Sequence, residues 1–138
     1  MDYVVATEKA VRFLTASLKT EKEVRDKLIS LKCDEEVVMQ VINHLKDISY
    51  INDREYVEAY IRQESKMQKY SIFEIVNKLK AKGINEELLD YVASVLNDME
   101  YEKEVIRKIR LKKEKLGEEE IKIKSYLYRR GFKGGSYE

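Results

Sequence analysis

Two stretches of this chain repeat each other at a fixed distance. Residues 27–45, KLISLKCDEEVVMQVINHL, return 51 positions later as residues 78–96, KLKAKGINEELLDYVASVL. At that offset Lys27, Leu28, Glu35, Glu36, Val41, Leu45 and Asp47 fall on Lys78, Leu79, Glu86, Glu87, Val92, Leu96 and Asp98. Upstream, Thr20 falls on Ser71 and Glu23 on Glu74. Thr20-Glu-Lys-Glu23 and Ser71-Ile-Phe-Glu74 both read as capping boxes, in which a hydroxyl and a glutamate satisfy free N–H groups at a helix start. Asp34 and Asn85, also in register, are good N-cap residues. Two caps at one offset are a stronger sign of repetition than matched leucines.

A third copy is partial. Leu127 follows Leu79 by 48 residues, which sets Arg130-Gly131-Phe132 on Lys82-Gly83-Ile84 and Ile123 on Ile75. Its capping box has decayed to Gly117-Glu118-Glu119-Glu120, and the chain ends six residues after Phe132. The expected units are residues 1–52, 53–98 and 99–138, the last a basic partial repeat of two helices with a loose C-terminal tail.

Each full unit reads as three helices. First helices are expected near 4–17, 53–67 and 100–116, second helices near 20–32, 71–82 and 118–130, and third helices near 34–48 and 85–98. Tyr56, Val57, Tyr60 and Ile61 make one face at helical spacing. Val24 and Leu28, or Ile72, Ile75, Val76 and Leu79, point inward from the second helices. Val37, Val38, Val41, Ile42 and Leu45 do so from the third, as do Leu88, Leu89, Val92, Val95 and Leu96. Asn52-Asp53 is expected to cap the helix that opens the second unit. Gly83 and Gly131 suit the left-handed turn after a helix; the first unit has Lys32 there, at a small steric cost. A chain with no Pro, five Gly and no bounded alternation of apolar residues leaves little room for strand. The expected fold is all-α: tandem three-helix repeats, about eight helices, stacked into an elongated curved array because one unit alone has too little core.

The ordered set of motifs resembles the RecX family of recombination regulators over nearly the whole chain. The matching stretches are Ala10-Val-Arg-Phe13-Leu14, Thr20 to Leu28, Tyr50-Ile-Asn-Asp53-Arg-Glu-Tyr56-Val-Glu-Ala-Tyr60, Leu79-Lys-Ala-Lys-Gly83-Ile84 and Leu127-Tyr-Arg-Arg-Gly131-Phe132. The resemblance implies a small protein that binds a RecA recombinase filament, lies in its groove near DNA, and lowers its ATPase, strand-exchange and coprotease activities. DNA repair, recombination and the SOS response are the processes this implies. Three departures mark the chain: many members carry a further N-terminal segment, Lys32 replaces the usual Gly, and the third repeat is short.

Charge is uneven along the repeats. Residues 1–52 net −1, residues 53–98 net −2 and residues 99–138 net +4, within a chain of net charge +1. The positive stretch runs from Lys103 to Lys115. Val105, Ile106, Ile109 and Leu116 are expected to form its apolar face, leaving Arg107, Lys108, Lys112 and Lys115 toward solvent. Arg129, Arg130 and Lys133 add to it. These are the candidate contacts to an acidic filament surface or to DNA phosphates. The plainer reading is a solvated helix face, since Glu102, Glu104 and Glu114 are interleaved.

Other chemistries find little support. A recognition helix needs donors and positive charge, but residues 85–98 carry Glu86, Glu87, Asp90 and Asp98 with no Lys or Arg. Cys33 and His44 are too few for zinc, which takes about four ligands; Cys33 aligns with Ile84 and Phe132 as a core residue, and His44 sits on a helix flank. The tyrosines suit packing with hydroxyls at the surface better than base stacking. No phosphate loop or nucleophile–base pair is visible, so no enzyme and no cofactor is expected. One Cys excludes an internal disulfide and fits a reducing cytoplasm. No run reaches the ~18 apolar residues of a membrane span, and the first residues lack the apolar stretch of a signal peptide. The reading is a monomeric, non-catalytic filament regulator; the alternatives are a helical protein that grips the DNA backbone, or a general helical interaction scaffold.

Overall fold

The computed structural model describes residues 1–133, and among these it holds eight α-helices and no strand. They are α1 (Tyr3–Ala16), α2 (Glu21–Ser30), α3 (Glu35–Asp47), α4 (Asp53–Met67), α5 (Ile72–Ala81), α6 (Glu86–Asp98), α7 (Tyr101–Lys115) and α8 (Glu120–Arg129). The expected spans differ from these mainly by counting the caps as helix. The expected loose C-terminal tail falls largely on residues 134–138, outside the described residues.

Apolar spacing determines how the helices meet. In the first unit, α1 places Ala6 and Ala10 against α2 and α3, so three helices approach closely around Val24, Leu28, Val38, Val41, Ile42 and Leu45. Cys33 and Ile51 close this core at its ends. The second unit repeats the arrangement with Val57 and Ile61 on α4, Ile72, Ile75 and Leu79 on α5, and Leu89, Val92 and Leu96 on α6. Its core does not stop there. Val105 and Ile106 of α7, Ile123 and Leu127 of α8, and Phe132 join the same cluster. The partial third unit therefore shares the second unit's core, which is how two helices keep Ile123 and Leu127 fully buried.

The units are joined by their capping boxes. Thr20 Oγ1 accepts from Glu23 N (3.2 Å), and Glu23 Oε1 accepts from Thr20 N (2.9 Å). The Thr20 hydroxyl also donates its proton to the Lys82 carbonyl, the C-cap of α5 in the next unit (2.7 Å). Ser71 does the same one unit on, donating to the Arg130 carbonyl at 2.7 Å. Each hydroxyl thus satisfies a helix start in one unit and a helix end in the next, using both its donor and its acceptor capacity. A carboxylate from the following unit completes each joint. Asp53 Oδ1 accepts from Glu21 N (2.8 Å), and Glu102 Oε2 accepts from Ile72 N (2.7 Å). Asp53 therefore caps α2 rather than its own helix; Asn52 caps α4 by accepting from Glu55 N. Burial raises the Asp53 carboxyl, partly offset by that backbone bond.

The same joint explains where glycine is needed. Gly83 and Gly131 have φ of +88° and +85°. A Cβ on Gly83 would stand 2.4 Å from Lys22 Cβ, and one on Gly131 2.6 Å from Phe73 Cδ1. In both cases the obstacle is the second helix of the preceding unit. Lys32 shares the left-handed conformation (φ 67°) but has no preceding unit in this chain to meet. Two sequence expectations change here. Asp34 occupies the N-cap of α3 without a side-chain bond, whereas Asn85 accepts from Leu88 N. Leu116 is not part of an apolar face: it is the C-cap of α7, 72% exposed, carried outward as the chain turns at Gly117.

Candidate nucleic-acid and filament interface

A concentration of positive charge lines a groove between the end of α4 and the α7–α8 pair. It has a volume of about 340 Å³, and five of its nine lining residues are basic and none acidic. Three local features build it. Gln68 ends α4 in the left-handed conformation (φ 51°), its N–H bonded to the Glu64 carbonyl, and this brings Lys69 to the groove. Lys108 and Lys112 stand one turn apart on α7, so both reach the same side. Tyr126 of α8 forms part of the wall, with the Lys113 ammonium 3.9 Å above its ring.

The five cations are not equivalent. Lys113 is paired with Glu118 (3.2 Å), and Arg130 with Glu74 (2.8 Å). Arg130 also donates to the Lys69 carbonyl (2.7 Å) and to the Tyr126 hydroxyl (3.1 Å). Burial alone would lower the Arg130 guanidinium, but its bonds to Glu74 and Tyr126 more than offset this and raise it. Burial would likewise raise Glu74; hydrogen bonds from Arg130 and the Ser71 N–H hold it below the ordinary carboxylate range. Arg130 is thus a strut across the second joint, with part of its charge neutralised. Among the described residues Lys69, Lys108 and Lys112 have no ion pair. They hold the charge that an incoming anion would meet.

Of the candidate residues read from the sequence, Lys108, Lys112 and Arg130 come together at this groove. Arg107, Lys115 and Arg129 are exposed but do not line it, and Arg107 is engaged by Glu104 at 2.6 Å. Lys69, Lys113 and Tyr126 are additions to the candidate contacts. Lys69 was findable: it lies just before the Ser71 capping box, where a turn must present its side chain outside the helices. The groove offers fixed cations and an aromatic wall, a chemistry that suits phosphate oxygens or carboxylates rather than bond making.

Comparisons with known proteins agree with this architecture. Residues 6–45 match the family model "RecX, first three-helix domain", and residues 52–92 match "RecX, second three-helix domain". The regulatory protein RecX of Caldanaerobacter subterraneus subsp. tengcongensis is 34% identical over 136 residues, covering 96% of this chain and 68% of the relative. That of Bacillus velezensis is also 34% identical over 136 residues, covering 95% of this chain, which spans about half (52%) of the relative. The crystal structure of RecX from Lactobacillus salivarius superposes with a TM-score of 0.87 at 27% identity, over 99% of this chain and 92% of that one. No helix among the described residues is long and apolar enough to cross a membrane. With two three-helix domains in tandem and relatives of this likeness, the chain belongs to the RecX family of regulatory proteins.

Proposed function

We propose that the chain is a non-catalytic, cytoplasmic regulator that binds a RecA-type recombinase filament and lowers its ATP hydrolysis, strand exchange and coprotease activity. The observation that carries this reading, beside the family, is the groove holding Lys69, Lys108 and Lys112 with no acidic residue in its lining. A filament on DNA presents phosphates along a helical path, and three ammonium groups lining one groove, two on α7 and one just past α4, suit such a track. The first two units, which net −1 and −2, are the part suited to a protein surface rather than to phosphate. Units 1–52, 53–98 and 99–138 would then divide the work, the last toward DNA and the first two toward the recombinase.

The test is DNA-dependent ATP hydrolysis by the cognate recombinase, titrated with this chain at two salt concentrations, with naked-DNA binding followed in parallel. Inhibition at concentrations too low to coat DNA is the expected result. Inhibition only where the DNA is already covered would favour the second reading, a DNA-backbone binder, for which the groove is also suited. No inhibition with the DNA uncovered would leave a helical interaction scaffold.

A further inference from the structure

A second groove without an acidic residue lies in the first unit, between α1 and α2. It has a volume of about 260 Å³ and is lined by Lys9, Arg12, Phe13, Lys27 and Leu31. Lys9, Arg12 and Phe13 share one side of α1 through their three- and four-residue spacing. Lys27 and Leu31, four apart at the end of α2, supply the other wall. Three of the unit's eight basic residues line the groove and none of its nine acidic ones, so a positive site sits within a unit of net charge −1. Lys9, Arg12 and Lys27 have no ion pair among the described residues. Their charge is left for an incoming anion, as is that of Lys69, Lys108 and Lys112.

The repeat places this groove in register with the one on α7 and α8. At the combined offset of 99 residues, Lys9, Phe13, Lys27 and Leu31 fall on Lys108, Lys112, Tyr126 and Arg130, all of which line the α7–α8 groove. The two grooves are one feature of the three-helix unit, present twice. An aromatic ring and a cation change helices between them: Phe13 on the first helix and Lys27 on the second become Lys112 on the first and Tyr126 on the second. Each ring carries a lysine, with Lys27 Nζ 5.6 Å from the Phe13 centroid and Lys113 Nζ 3.9 Å from that of Tyr126. Lys19 adds a further cation 4.6 Å from the Phe13 centroid, tied to the Phe13 carbonyl at 3.4 Å. The middle unit breaks the pattern. Its register falls on Tyr60, Glu64, Lys78 and Lys82, where the Glu64 carboxylate offsets Lys78 and where Lys82 pairs with Glu23 at 3.6 Å.

We infer that the α1–α2 groove is a second contact for DNA backbone phosphates, so that the chain grips DNA at its first and third units with the second as spacer. Two like-charged grooves at one register suit a ligand that repeats its anions along its length, as a nucleic-acid backbone does. Lys9 and Lys27 supply point charges, and the Arg12 guanidinium supplies a fork that matches phosphate oxygens. The acidic first turn of α3, with Glu35 and Glu36, keeps another part of the same unit for a protein surface. The inference rests on the proposed function only in taking DNA to be among the surfaces that the chain meets.

The test is binding of the whole chain to a fluorescent DNA duplex, read by anisotropy over a series of salt concentrations. Lys9→Gln with Lys27→Gln removes two charges from the groove and keeps the positions polar. It should lower the slope of log K against log salt by about 2, since each lost phosphate contact accounts for about 0.9. Added to Lys108→Glu with Lys112→Glu, it should lower the slope further than either pair alone. Lys22→Gln with Lys46→Gln makes the same change of net charge in the same unit, outside both grooves, and should leave the slope as it is. Arg12→Gln, at an exposed position, should lower the slope by about 1 and decides the matter if the lysine pair fails to fold. An unchanged slope in the folded groove variants, or an equal fall in the Lys22 and Lys46 control, would overturn the inference. So would weakened filament binding with the DNA slope unaltered, which would make the groove a site for an acidic protein segment. A chain that inhibits the recombinase while its groove variants keep the parent slope would sink this inference alone. One whose slope falls as expected but which does not inhibit would sink the functional reading alone.

Discussion

Gly83→Ala should be far more damaging than an alanine in a left-handed turn usually is. The left-handed conformation alone costs an L-residue about 1–2 kcal/mol. At Gly83 the new methyl would also sit 2.4 Å from Lys22 Cβ and 2.8 Å from Lys22 Cδ. Lys22 Cβ is fixed to the backbone of α2, so relief requires α2 and α5 to separate, which would stretch the 2.7 Å bond from Thr20 to Lys82. Overpacking of this kind adds about 1–3 kcal/mol. Gly117 provides the control within the same molecule: its φ is +78°, and a Cβ there would meet nothing within 4 Å. Gly117→Ala should therefore show only the conformational part. With a urea slope of about 1–3 kcal/mol/M, an extra 2 kcal/mol moves the unfolding midpoint by about 1 M. Urea unfolding followed by circular dichroism would show Gly83→Ala well below Gly117→Ala. If the two variants unfolded at the same midpoint, the helix of the first unit would not abut Gly83, and the account of the joint would fail.

The other predictions follow from the same joints and from the groove. Lys32→Gly should stabilise the chain by about 0.5–1 kcal/mol, since it relieves a left-handed lysine that no neighbouring unit constrains; a loss of stability on thermal unfolding would contradict this. Ser71→Ala should cost about 2–3 kcal/mol, because it removes a helix cap and the bond to the Arg130 carbonyl together; a cost no larger than a simple surface cap would refute the double role. Glu74 lies below its ordinary value in the fold, so its contribution to stability is present above the unfolded carboxylate pKa and is lost as pH falls through the folded one. Acid titration of unfolding should therefore show a smaller acid loss for Glu74→Gln than for the parent, and an unchanged profile would show that Arg130 does not hold the carboxylate. Lys108→Glu with Lys112→Glu should weaken DNA binding and lower its salt slope by about 2, one per phosphate contact removed; an unaltered slope would place the contact elsewhere.

The repeat and its helices were legible because they rest on local chemistry. A Ser or Thr three residues before Glu announces a helix start whatever the tertiary context, and both boxes appear as written. What the chain order conceals is who else uses those groups. Nothing in Thr20-Glu-Lys-Glu23 says that the hydroxyl will also donate to a carbonyl 62 residues away. Asp53 has the place of a local cap beside Asn52, but the helix it caps is the one 32 residues back. Leu116 continues the sequence spacing of Val105, Ile106 and Ile109, but one residue past the helix end that spacing no longer applies. The basic groove was half visible. Lys108 and Lys112 share a face of one helix, whereas Lys69 and Arg130 arrive from other elements and only the fold places them together.

The most direct test of the central claim is affinity for a preformed recombinase filament compared with affinity for the same DNA bare. The chain would carry a fluorophore at Met39, which is 57% exposed and outside the basic groove, after Met39→Cys and Cys33→Ala. Filament and DNA would be titrated at the same salt concentration. The account predicts markedly tighter binding to the filament, reduced but not abolished by Lys108→Glu with Lys112→Glu. Equal affinity for filament and bare DNA, lost completely in the double variant, would contradict it and make the chain a DNA-backbone binder.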